Sequence, residues 1–278
     1  MNAQTPNVPL VDLDAYLERT GYAGPLTPTR ETLAGLITHH IAAIPFEAID
    51  VLAGKGVDLD PAAVDAKLIA ARRGGYCYEQ NNLFRRVLLA IGFEAEGLLA
   101  RVRWMLPLET PTTSRSHMLL RVTIDGVPWL ADVGFGSIVP DAPLRMDIIA
   151  PQATGHDRFR LVPSEDHLDL EAELDGAWAT VYQIDRRRQY EIDYAVANWF
   201  TSTNPVSHFR HQLIAARTTP QARYVLRDGR FTVRRPGQPP ERRFLDADEI
   251  ERALAEIFTL PVDPAWRPLI ARAAAAAV

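Results

Sequence analysis

The chain is 278 residues long, with 47% apolar and 23% charged residues, which supplies material for a sizeable core and argues against wholesale disorder. Thirty Lys and Arg against thirty-five Asp and Glu leave a net charge of −5, a balance unlike that of a dedicated nucleic-acid binder. A single cysteine excludes an intramolecular disulfide and a cysteine-rich zinc site, and no apolar run approaches the ~20 residues of a membrane span.

The opening segment, residues 1–20, has neither the basic nor the apolar region of a secretory signal, and the tail LIARAAAAAV is helix-prone but too short to span a bilayer. The expected location is therefore the cytoplasm. Roughly the first third reads as helical. Thr29 to Leu33 starts a segment with Leu33, Leu36, Ile37 and Ile41 on one face, and Pro45 closes it. Pro61 opens a second helix, whose apolar side includes Leu68 and Ile69. After Arg73-Gly74-Gly75 a third helix places Cys77, Asn81, Phe84, Leu88 and Ile91 on one stripe, and Gly92 is a fitting stop. Cys77 falls in the first turn of that helix, on its inward side.

The middle third changes period. AEGLLARVRWML, SHMLLRVTI, VPWLADVGF and WATVYQI are rich in β-branched and aromatic residues and read as strands. EIDYAVANWFTSTNP reads as a helix ending at Pro205. Two short strands turning at Asp228-Gly229 and the helical segment DADEIERALAEIF complete the pattern. The arginine runs Arg186–Arg188, Arg234-Arg235 and Arg242-Arg243 read as solvated faces.

Asp125-Gly126 is the strongest hairpin signal, and a two-residue loop there pairs Ile124 with Val127. In that register one face carries Met118, Leu120, Val122 and Ile124 against Val127, Trp129, Ala131 and Val133, all apolar. The other face carries His117, Leu119 and Arg121 against Leu130, Asp132 and Gly134. His117 and Asp132 become diagonal neighbours, about 7–8 Å apart at Cα and within reach of an imidazole–carboxylate hydrogen bond. A helix N-terminus and a nearby imidazolium both stabilise a thiolate. Cys77, His117 and Asp132 thus match a nucleophile, a base and an orienting group in composition, although spacing alone does not bring Cys77 to His117. Each also has a plain reading: a small buried hydrophobe, a hydrogen-bonded strand histidine, a solvated strand aspartate, with the two glycines a tight turn.

Arg73-Gly74-Gly75-Tyr76-Cys77-Tyr78-Glu79-Gln80-Asn81 resembles the signature of the arylamine N-acetyltransferases, where the cysteine accepts the acetyl group. Ile44-Pro45-Phe46-Glu47, Ser116-His117, Asp132 to Gly136 and Trp199 to Pro205 resemble further blocks of that family, in the family's order. The resemblance implies an α+β fold in three parts, with a Cys-His-Asp thiol site between the first two. These parts are a helical bundle over residues 1–93, a β-barrel over 94–192 carrying His117 and Asp132, and a linking helix with an α/β lid over 193–278. It implies ping-pong acetyl transfer from acetyl-CoA, as cosubstrate, to a small arylamine, arylhydrazine or related amine. No metal, nucleic acid or membrane is implied.

By the same resemblance Cys77, His117 and Asp132 are catalytic, and Phe46, Phe135 and Phe209 line the amine pocket. Ser116, Gly134 and Gly136 approach CoA, although a β-bulge also explains the glycines. Arg73 and Glu47 match a pair that braces the cysteine loop. Ala48, Tyr78, His208 and His211 depart from the family's usual residues and bear on acceptor preference. A metal at His208 and His211 has the right i, i+3 spacing but no acidic or thiol partner nearby. A thiol hydrolase or transglutaminase-like acyl transferase using the same triad is the rival enzyme reading. A binding module with an idle thiol is the rival outside catalysis.

Overall fold

The structure is a computed structural model that describes residues 11–107 and 109–276. The reading of the opening segment rests largely on residues 1–10, and the tail's last two residues are 277 and 278; both lie outside the described residues. The helical first part comprises α1 (Leu13–Thr20), α2 (Arg30–Ala43), a two-residue strand β1 (Phe46–Glu47), α3 (Ile49–Leu52), α4 (Pro61–Asp65) continued by a π turn over Ala66–Ala70, and α5 (Cys77–Ile91). The ends follow local chemistry. Thr29 caps α2 by accepting from Thr32 N, Pro61 is the first residue of α4, and α5 stops at Gly92 with φ +103°.

Eight antiparallel strands follow: β2 (Glu94–Val102), β3 (Arg115–Ile124), β4 (Val127–Ala131), β5 (Leu144–Arg145), β6 (Gln152–Ala153), β7 (Arg158–Pro163), β8 (His167–Leu174) and β9 (Ala177–Asp185). They are ordered β5-β4-β3-β2-β9-β8-β7-β6 in one barrel-like sheet. Its two edges are joined by a side chain, because the Gln152 carboxamide accepts from Arg145 N at 2.8 Å and donates to Arg145 O at 2.9 Å. One carboxamide thus does for a pair of edge groups what a neighbouring strand would do.

Helix α6 (Glu191–Thr203) leads to a second antiparallel sheet of β10 (Ile214–Thr218), β11 (Arg223–Arg227), β12 (Arg230–Arg234) and β13 (Glu241–Phe244), backed by α7 (Ala247–Glu256) and α8 (Arg267–Ala275). The strand order is β1-β10-β11-β12-β13, so the segment just ahead of the cysteine loop supplies an edge strand to this late sheet. Among the described residues no helix is long and apolar enough to cross a membrane.

The hairpin has the expected register: Ile124 faces Val127, Val122 faces Trp129 and Leu120 faces Ala131. Its ladder stops at Ala131, two residues short of the expected face, and Asp132 follows just beyond the strand. The apolar face bearing Met118, Leu120, Val122, Ala131 and Val133 joins the core of the helices, where Leu33, Ile37, Phe84 and Leu88 also lie. The opposite face contributes Leu119 and Leu130 to the barrel interior with Phe159, Leu161 and Leu170. Both faces of the hairpin are therefore buried, and the second one ends at His117 and Asp132.

Candidate active site

Cys77 opens α5 and is 4% exposed. The turn before it lies flat against the Pro45–Glu47 segment: Gly75 N donates to Pro45 O at 3.3 Å and Glu47 N to Gly75 O at 3.0 Å. A Cβ on Gly74 would stand 2.2 Å from Pro45 O, so close approach rather than turn geometry demands glycine there. Gln80 adds donors from the helix, to Gly75 O at 2.8 Å and Pro45 O at 3.2 Å. Glu79 accepts from Tyr76 N at 3.0 Å, tying off an otherwise unpaired N–H of the helix start.

Charge reinforces the turn. Arg73 reaches Glu47 at 2.7 Å and Asp50 at 3.2 Å, while Lys67 bridges Glu79 at 2.7 Å and Asp50 at 2.9 Å. The expected brace between Arg73 and Glu47 is thus part of a five-residue network. Burial works against the Lys67 charge, but Glu47, Glu79 and Asp50 together hold its ammonium well above the ordinary lysine range.

His117 and Asp132 come from the hairpin, with the His117 Nε2–Asp132 Oδ2 distance 2.7 Å. Four donors converge on this carboxylate. Oδ2 accepts from His117 and from Tyr182 Oη at 3.1 Å; Oδ1 accepts from Gly134 N at 2.8 Å and Asn81 Nδ2 at 3.1 Å. Asp132 is 1% exposed, which overturns the solvated reading of it. Burial pushes its pKa up, yet His117 and the remaining donors outweigh burial and hold it below the ordinary carboxylate value.

With Nε2 on Asp132, the other ring nitrogen of His117 is left to interact with Cys77. Burial opposes a charge on the imidazole, but Asp132 and then Cys77 overcome it and raise the His117 pKa to about 10. A bulge positions the strand end: Ala100 faces His117 and Arg101 faces Arg115, so Ser116 is left without a partner on β2. The Ser116 carbonyl oxygen lies 3.7 Å from Cys77 Sγ. The bulge therefore sits at Ser116, whereas the sequence suggested one at the glycines.

Gly134 has a packing reason of its own. A Cβ there would stand 2.6 Å from Cys77 Cα and 2.7 Å from Asn81 Nδ2. Gly136, with φ +81°, lies against the Phe46 ring. Phe135 meets the His117 ring edge-on at 5.0 Å and Tyr182 at 5.2 Å. Phe209 is 6.0 Å from Phe46 and 5.9 Å from Tyr76, on the cysteine side. The His208 and Phe209 rings lie 4.0 Å apart with planes tilted by 40°, and His211 Nε2 lies 2.6 Å from the Pro205 carbonyl.

The family model for N-acetyltransferase covers residues 29–267. The arylamine N-acetyltransferase of Mycobacterium tuberculosis is 39% identical over 255 residues, covering 91% of this chain and 90% of that protein. The chain belongs to the arylamine N-acetyltransferase family. The Escherichia coli family member is 36% identical over 91% of this chain and 90% of its own length. The solved Mycobacterium marinum enzyme superposes with a TM-score of 0.90 at 37% identity, covering 95% of this chain and 99% of that one. A structure of the M. marinum family member in complex with CoA matches with a TM-score of 0.88 at 37% identity, over 95% and 97% of the two chains.

Sequence reasoning missed two partners of the carboxylate in this family member. Asn81 was legible only as a member of the apolar stripe of α5; a polar residue one turn after Cys77 on that stripe is the signal. Tyr182 lay in a strand whose pairing with β2 no local pattern shows.

Proposed function

We propose that the chain transfers acetyl from acetyl-CoA to arylamines, arylhydrazines or related small amines, with Cys77, His117 and Asp132 as the catalytic residues. The observation that carries the reading is a lone thiol at a helix N-terminus, 3.7 Å from the carbonyl oxygen of the residue before His117, whose Nε2 sits 2.7 Å from a fully engaged carboxylate. In the first half-reaction the Cys77 thiolate attacks the thioester carbonyl, a C–S bond forms, and the bond to CoA breaks. The imidazolium of His117 gives its proton to the departing CoA thiolate. In the second, the amine attacks the acetyl-cysteine, Cys77 leaves as thiolate, and His117 takes the amine proton, restoring the resting ion pair. Asp132 holds the ring orientation and stabilises the imidazolium throughout.

Phe46, Phe135 and Phe209 are assigned to the flat acceptor, which suits aromatic walls. Ser116, Gly134 and Gly136 are assigned to the pantetheine end of CoA, where small residues admit a narrow chain. No metal takes part, and the enzyme works in the cytoplasm on free small molecules. The division at residues 93 and 192 into bundle, barrel and lid belongs to the same proposal.

The test is intact-protein mass after brief exposure to acetyl-CoA without amine, with Cys77→Ser alongside. One acetyl increment on the unsubstituted protein alone, discharged by an added arylamine, is expected. No increment, with the thiol still alkylated quickly, would reject acetyl-CoA as donor and turn the search to amide substrates of the transglutaminase-like kind.

A further inference from the structure

Cys77 lies between two buried tyrosines, Tyr76 and Tyr78, both fully enclosed, with ring centroids 5.4 Å apart. Their hydroxyls end on different supports. Tyr76 Oη donates to Asn198 Oδ1 on α6, and Asn198 Nδ2 donates to Val57 O at 3.0 Å. Tyr78 Oη donates to Arg115 O at 3.3 Å. Arg115 is the residue immediately before the bulged Ser116, whose carbonyl faces Cys77 Sγ, and two residues before His117.

We propose that the Tyr78 hydroxyl is a positioning group that fixes the cysteine helix against the histidine strand, by joining α5 to the start of β3. The inference rests on the catalytic reading of Cys77 and His117 given above.

Three physical facts support it. The main chain of a strand is held by its ladder only where residues are paired, and the bulge leaves Ser116 unpaired at the point where the strand carries the site. Arg115 O therefore gains an anchor beside an interruption in that ladder. Burial, followed by the nearby Cys77, pushes the Tyr78 phenol well above its ordinary pKa, so the group stays a donor wherever the enzyme is folded. A misplacement of reacting groups by about 1 Å is enough to cost up to 100-fold in rate, so a single anchor between the two elements is kinetically visible.

Because Cys77 is the only cysteine, alkylation reports this thiol and no other. The experiment compares the unsubstituted protein with Tyr78→Phe. It measures iodoacetamide alkylation rate from pH 5 to 10, single-turnover acetylation by acetyl-CoA, KM for acetyl-CoA, and melting temperature. Tyr78→Phe is expected to keep its melting temperature within a few degrees, to shift the alkylation profile, and to slow acetylation by about tenfold with KM unchanged.

Coincident alkylation profiles and an acetylation rate within twofold in Tyr78→Phe would overturn the inference, as would a loss confined to KM or to melting temperature. The two readings fail separately. A protein that takes no acetyl group but whose alkylation profile shifts in Tyr78→Phe keeps the tie and loses the acetyl donor.

Discussion

Asp132 satisfies all the usual capacity of a carboxylate, two donors on each oxygen, in a site with almost no solvent. That arrangement makes its charge hard to imitate. Asp132→Asn would replace an acceptor by an NH2 group facing either His117 and Tyr182 or Asn81 and Gly134 N, donor against donor in each case. Single-turnover acetylation should fall by about three to four orders of magnitude, as when a triad aspartate elsewhere is neutralised and the histidine tautomer is lost. A rate within tenfold of the unsubstituted protein would make Asp132 a structural residue. Tyr182→Phe removes only one of the four donors. It should cost about 1 kcal/mol of stability in urea unfolding and slow acetylation by about tenfold or less, without altering KM for the amine. The contrast between these two substitutions separates the charge of the carboxylate from the number of its partners.

The start of α5 and the end of β4 approach so closely that Gly134 sits where any side chain would meet the Cys77 main chain. Gly134→Ala should therefore lower stability by about 1–3 kcal/mol through overpacking and reduce acetylation by more than tenfold, because relief requires moving α5 itself. Gly126→Ala is the control: φ is +76° in the hairpin turn with open space around it, so stability drops by about 1 kcal/mol or more and acetylation is kept. Equal activity losses in the two variants would show that the close approach has no bearing on chemistry. These elements also show what the sequence carried. The stripe through Cys77, Asn81 and Phe84 and the Asp125-Gly126 turn are local signals, and they placed α5 and the β3–β4 register correctly. The bulge at Ser116 was hidden because it depends on β2, whose pairing with β3 has no local signature. Strand β8 is legible too, because HLDLEAEL alternates polar and apolar residues along its whole length, whereas β7 alternates only over Arg158 to Leu161. The pairing of Phe46 with Ala216 joins residues far apart in sequence, so nothing around Pro45 reveals that a strand follows it.

Three separate cores hold this molecule together, and the helical one is threaded by a buried polar chain rather than being wholly apolar. Tyr16 Oη lies 3.0 Å from His40 Nδ1, and His40 Nε2 lies 2.9 Å from Gln80 Oε1. Gln80 spends its amide hydrogens on Pro45 O and Gly75 O, so its oxygen must accept, Nε2 must carry the ring proton, and Nδ1 accepts from the tyrosine. His40 is thus a neutral imidazole at the end of a relay that reaches the cysteine turn. Burial drives its pKa down to about 3, and burial with Arg227 nearby takes His208 to about 4. In the unfolded chain both take a proton near pH 6.5. The folded state binds fewer protons below that value, so stability is retained above about pH 6.5 and lost progressively as the pH falls toward the folded pKa values. His117 has the opposite sign: its raised pKa gives stability that is full below about 6.5 and lost as the pH rises through about 10. The two trends place maximum stability near neutrality. At pH 5 the His40 contribution alone amounts to about 2 kcal/mol of lost stability relative to pH 7.5. His40→Gln offers an acceptor to Tyr16 and a donor to Gln80 without a titrating group. Urea unfolding between pH 7.5 and 5 should therefore show a shallower acid decline in that variant than in the unsubstituted protein. Parallel declines would mean that His40 is protonated in the fold, with Nδ1 donating to Tyr16 Oη and Nε2 still donating to Gln80.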